Sequence, residues 1–346
     1  MNRHVTFCAL LVFIQSLSAS PIGTYPPGTI LENIAISATG DLFVTDVGSG
    51  TIFRISPGGS TAVFAQAPVA LAGVAFDTDG TLVAAGESSF YRFAADGTPT
   101  LVADIPGAGF LNGVTLLSPG KFLAADDTAD LVWQVNLSTG SASPWLTSSL
   151  LVPTDNTLPI GPNGVKLFGG SAYISATGSG TILRVPIAPD GSAGSPQVYA
   201  SSLQVDDFAF GSDGSIFVAT QTGNSVIRIR PNGTRTTIAT EADGLLGDAA
   251  LAFGRTAVDS KDIYVVNNGG AFSGDPNGPQ AATVVRLATD TTGVVPEAQA
   301  IPEPASLALS AAGAGLVLVL RKRRTRFPKY PRAVEDTRRQ DQHVAR

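Results

Sequence analysis

Residues 34–55 read Ile34-Ala-Ile-Ser-Ala-Thr-Gly40-Asp-Leu-Phe-Val-Thr45-Asp-Val-Gly-Ser-Gly50-Thr-Ile-Phe-Arg54-Ile55. Three short runs rich in β-branched and aromatic residues are set apart by Gly-bearing turns. That is the pattern of three successive strands. The same order returns down the chain. The third run recurs as Ser89-Phe-Tyr-Arg92, Leu131-Val-Trp-Gln134, Thr181-Ile-Leu-Arg184, Ser225-Val-Ile-Arg228 and Thr283-Val-Val-Arg286. The second recurs at Leu82, Phe122, Ala172, Ile216 and Ile263, and the first at Val74, Val114, Val165, Phe208 and Leu251. A weaker fourth run follows most copies, at Ala62, Thr100, Gln197 and Thr236.

Four strands repeated six times predict an all-β chain, a six-bladed β-propeller over 29–292. A pair of β-sandwiches would explain the strands but not the fixed period. No long helix is suggested before Ala305. The recurring Arg of the third run reads as structural, solvent-facing or between blades. Trp133 and Trp145 read as blade packing.

In a propeller the first strand of each blade lines the central channel, so the residues that open these strands meet at one mouth. Two residues before each first run stand Glu32, Ala72, Asn112, Asn163, Asp206 and Ala249. Two carboxylates and two amides thus converge, beside two small residues. Their oxygens are hard donors, suited to Ca²⁺, Mg²⁺ or Mn²⁺. The alternative is that Asn112-Gly and Asn163-Gly are turns and that Glu32 and Asp206 are solvated loop acids. Asp46, Asp126, Asp127, Gln221, Asp248, Asn267 and Asn268 lie near the same mouth and read as turn or solvated residues. Insertions at Ser148–Pro162 and Asn268–Ala282 read as lids over the mouth or as surface loops.

The blade pattern, with Leu31-Glu-Asn-Ile, Leu111-Asn-Gly-Val, Pro162-Asn-Gly-Val and Val205-Asp-Asp-Phe, resembles the gluconolactonase/regucalcin (senescence marker protein) family. The resemblance covers about 30–290. It implies a six-bladed propeller with a divalent metal held by Glu32, Asn163 and Asp206, and a substrate-orienting Asn112. It also implies hydrolysis of a lactone or related ester, with Asp206 doubling as the base. The chain departs from the family at Phe110-Leu-Asn112-Gly, which lacks the Arg and the Asp of the family's Arg-x-Asn-Asp-Gly. Metal binding therefore transfers better than sugar-acid lactone specificity. The competing expectation is a non-catalytic propeller that binds glycan at the cell surface or in an exopolysaccharide matrix.

The composition narrows the chemistry. The chain of 346 residues holds one Cys, one Met and two His. Between Ser20 and Gln342 there is none of these. Zinc sites on Cys or His, thiol nucleophiles and Ser-His-Asp triads are excluded from the body. The net charge of −6 is composite. Residues 321–346 hold ten Lys/Arg against three Asp/Glu, and 21–320 hold 11 basic against 25 acidic residues, a net of −14. An acidic body argues against nucleic acid as a partner.

The ends read as addresses. Residues 1–20, with Arg3 before an apolar run, read as a secretory signal peptide. Residues 293–301 read as a linker. Pro302-Glu-Pro304, the apolar run Ala305–Leu320 and Arg321-Lys-Arg-Arg324 resemble a PEP-CTERM sorting signal of Gram-negative bacteria. That implies processing by an exosortase and transient membrane anchoring through a C-terminal apolar helix. The run of 16 residues is short for a span, which takes ~20. The final location expected is the cell surface, the outer membrane or the extracellular matrix. Residues 325–346 read as a basic tail, longer than such signals usually carry.

Overall fold

The computed structural model describes residues 19–155, 157–273 and 278–294. Among these, 24 strands form six four-stranded antiparallel sheets, the blades of a propeller. The innermost strands are Leu31–Ile36, Gly73–Phe76, Leu111–Ser118, Pro162–Phe168, Phe208–Phe210 and Asp248–Phe253. The expected signal peptide, C-terminal helix, sorting signal and tail lie outside the described residues, except that residues 19 and 20 are described. No helix among the described residues is long and apolar enough to cross a membrane.

Strand alternation builds the core. Successive side chains of a strand point to opposite faces, and here both faces meet a neighbouring blade. Leu123 and Ala125 pack toward blade four, whereas Phe122 and Ala124 pack toward blade two. Six apolar clusters result, one at each junction between blades. Trp133 and Trp145 are buried and donate to Asp126 Oδ2 at 2.9 Å and to the Gly191 carbonyl at 2.8 Å.

The repeated Arg pins its own blade. Nε of Arg54, Arg184, Arg228 and Arg286 donates to Asp41, Ser171, Ser215 and Asp262, each at the head of its blade's second strand. Arg228 also reaches Asp290, the one inter-blade link of this set.

The ring closes through a strand that the repeat pattern missed. Ser20–Pro27 pairs antiparallel with Ala281–Ala288 and is the outermost strand of the sixth blade. The fold therefore begins upstream of residue 29 and includes the last residue of the 1–20 segment. It also extends into the expected linker: Gly293 bridges Gly211, and Val294 N–H donates to the Phe210 carbonyl at 3.0 Å.

Candidate functional site

The expected site residues do not sit in turns. Glu32, Asn112 and Asn163 lie inside the innermost strands, at β-bulges. Leu31 pairs with Asp46 and Ile34 with Val44, so Glu32 and Asn33 together face Thr45. Asn112 and Gly113 face Ala125, and Asn163 and Gly164 face Ser175, in the same way. A bulge re-aims the side chains at a strand end.

The bulge frees a backbone N–H, and a hydroxyl takes it up. Asn33 N–H donates to Thr45 Oγ1 at 3.0 Å, and Thr45 Oγ1 donates to the Ala72 carbonyl of the next blade at 2.6 Å. Gly164 N–H donates to Ser175 Oγ at 2.7 Å, and Ser175 Oγ donates to the Asp206 carbonyl at 2.6 Å. The glycines answer a different need. A Cβ on Gly113 would stand 2.4 Å from the Asn163 carbonyl oxygen, and one on Gly73 would stand 1.9 Å from that of Asn112. Asn-Gly here records the close approach of blades.

The four expected residues are buried, none more than 7% exposed. They meet in pairs. Asn112 Nδ2 donates to Glu32 Oε1 at 3.2 Å, joining blades three and one. Asn163 Nδ2 donates to Asp206 Oδ1 at 2.5 Å, joining blades four and five. The carboxylates also feel each other. Burial, then the charges of Glu32, Asp207, Asp248 and Asp127, push Asp206 well above the usual carboxylate range. Burial lifts Glu32 to about 7, against the Asn112 hydrogen bond and with help from Asp127 and Asp207.

Other residues complete the cluster. Asn33 Nδ2 donates to Asp207 Oδ2 at 3.3 Å, and Lys166 Nζ pairs with the same oxygen at 2.6 Å. Asn33 and Asp207 occupy the register that is glycine in blades two to four, a departure readable in the alignment. Lys166 carried no such signal, since it stands mid-run. Asp127 and Asp248 are not mere turn residues. Burial raises both to about 7, against the Asn112 hydrogen bond at Asp127 and the Thr220 N–H at Asp248. Each keeps one buried carboxylate oxygen without a partner. Asp46 and Asp126 are buried anchors for loop amides instead. Asn267 and Asn268 are buried and bind loop N–H groups, and Gln221 sits at φ 43° in a turn bridged to Asp248.

Do these residues fit a cation? Asp206 Oδ2 and Asn112 Oδ1 are buried without a partner, and buried carboxylates call for a counter-charge. Oxygen donors of this kind suit a hard divalent ion. Among the described residues no group of three or more His, Cys, Asp or Glu is arranged to hold a metal. The expected set needs only two carboxylates, with an amide as third donor. In this structure Asn163 turns its NH₂, not its oxygen, to Asp206, so ligation by Asn163 requires the reversed amide.

The two insertions border a polar pocket of about 560 Å³ beside this mouth. Thr154, Asp155 and Leu158 of the first and Phe272 of the second line it, opposite Gln204 and Thr220. The four expected residues are not among its walls.

Among solved structures, the chain is similar to regucalcin, a calcium-binding protein from Agrobacterium tumefaciens, at TM-score 0.63 and 17% identity over 80% of this chain and 96% of that one. It is similar to a gluconolactonase from Xanthomonas campestris at TM-score 0.61 and 16% identity, over 81% and 93%. It is similar to virginiamycin B lyase from Staphylococcus aureus at TM-score 0.53 and 15% identity, over 75% and 81%. The sequence matches no protein-family model and no curated protein.

Proposed function

We propose that the chain is an exported, divalent-cation-dependent hydrolase of a lactone or related ester. The observation that carries the reading is the buried, unpartnered Oδ2 of Asp206, set among carboxylates on the propeller axis. Glu32, Asn163 and Asp206 would hold the cation, and Asn112 would orient the substrate with its free Oδ1. A bound divalent ion would polarise the scissile carbonyl and acidify a water. Asp206 would serve as the base besides holding the ion, Oδ2 being its carboxylate oxygen without a partner. Ser175 fixes the Asp206 backbone, which keeps this oxygen aimed.

Export and sorting rest on the sequence of the two ends. We take the signal peptide, the PEP-CTERM segment and exosortase processing together as the route to the cell surface or matrix. The test of catalysis is direct. The purified chain is assayed on aldonolactones and simple esters with Ca²⁺, Mg²⁺ or Mn²⁺, before and after EDTA, beside Asp206→Ala. Turnover lost with EDTA and in Asp206→Ala supports the reading. The burial of all four residues favours a second reading, a non-catalytic matrix propeller. Saturable glycan binding without turnover would select it.

A further inference from the structure

The channel is not uniform. Asn33, Asp207 and Lys166 form a polar septum, and beyond it the channel widens into a cavity of about 820 Å³ at the opposite mouth. All six innermost strands line it. The sequence explains the hollow. The middle residues of the six first runs are Ala35, Ala75, Thr115, Lys166, Ala209 and Ala252. Four alanines leave space that larger residues would fill. Toward the mouth the wall turns apolar, with Ile36, Phe76, Leu116 and Phe253. Volumes of ~300–1,000 Å³ with apolar walls and few polar groups suit small molecules.

The polar groups set the ligand's charge. Lys166 is spent on Asp207. Asp77 on the rim is spent as well, accepting from Thr78 N–H at 2.7 Å and Gly120 N–H at 3.1 Å. Arg255 stands on the same rim, partly buried. Its Nη1 donates to the Ile36 carbonyl at 3.0 Å, and among the described residues it has no carboxylate partner. Burial lowers its pKa, with no anion to oppose the shift. A guanidinium held at the edge of an apolar cavity without an anion is an anchor for one.

We propose that this cavity binds an aliphatic carboxylate, its chain in the channel and its head group on Arg255. The site lies across the septum from the acidic cluster and does not depend on the hydrolase reading. The test is calorimetric titration of the full chain with decanoate and with 1-decanol as the neutral probe. Saturable decanoate binding is expected, unchanged by EDTA. Arg255→Gln should weaken decanoate about tenfold and leave decanol unaltered. Ala75→Trp and Ala209→Trp, which fill the cavity, should abolish both. The proposal is overturned by the absence of saturable binding. It is equally overturned if Arg255→Gln binds decanoate as the native chain does, or if folded Trp variants keep full affinity. Should the Trp variants fail to fold, the Arg255 comparison decides alone.

Discussion

Asp206 carries more of the proposed chemistry than any other side chain, and its position has a cost. A carboxylate 1% exposed, with one oxygen unpartnered, has lost its hydration without a full replacement. Asp206→Asn removes the charge and nearly keeps the shape. The cation-free chain should therefore melt higher in the variant, while saturable Ca²⁺ or Mn²⁺ binding by calorimetry disappears. A variant that melts lower and still binds the ion would show that Asp206 is a structural acid. Gly113 makes a separate claim at the same scale. A Cβ there meets the Asn163 carbonyl at 2.4 Å, and backbone has little room to give. Gly113→Ala should cost about 1–3 kcal/mol in urea unfolding. Gly58→Ala, where the nearest atom is a side-chain oxygen 3.8 Å away, should be nearly neutral.

The innermost strand with its bulge is the element that turns a repeat into a site. The hydroxyl facing the bulge locks two blades together. Ser175→Ala would orphan the buried Gly164 N–H and release the Asp206 carbonyl. The expected loss is about 1–3 kcal/mol of stability. If Asp206 acts as proposed, turnover should fall as well, with the drop in kcat rather than KM. Ser175→Thr should restore part of both. Loss of stability with kcat untouched would reduce Ser175 to a purely structural bolt. In blade three Ala125, which has no hydroxyl, stands at the same place.

Strand periodicity made the blades and the four axial residues readable, since hydrophobic runs and Gly turns are local signals. The bulges were not readable. Asn-Gly looks like a turn unless the neighbouring blade's carbonyl is known to lie against it. Two outer strands escaped notice for one reason. Ser20–Pro27 and Ser141–Thr147 contain prolines, which argue against a central strand. Both are outermost in their sheets, where a missing N–H is tolerated. Lys166 and Asp207 pair across 41 residues, and no local pattern encodes that distance.

At the scale of the whole molecule, the ring concentrates like charge on its axis, and that makes stability depend on pH. Glu32, Asp127 and Asp248 are raised to about 7, burial being the largest cause for each. In the unfolded chain such groups titrate near 4. Between those values the folded chain binds more protons than the unfolded one, so stability falls as pH rises. The contribution is complete below about 4 and lost above about 7. Surface acids held down by local hydrogen bonds, such as Asp155 beside Thr157, act in the opposite sense, but only below about 4. The window therefore reports chiefly on the axial carboxylates, with Asp130, raised by burial and by Asp126, acting in the same sense. Melting of the EDTA-treated chain should drop between pH 5 and pH 8. Glu32→Gln should flatten that slope. A divalent cation bound as proposed would replace the missing protons as counter-charge, so Ca²⁺ or Mn²⁺ should raise the melting temperature more at pH 8 than at pH 5. A melting temperature that climbs with pH in the metal-free chain would mean that the axial acids are already neutralised within the fold. The case for a cation between Glu32 and Asp206 would then fail.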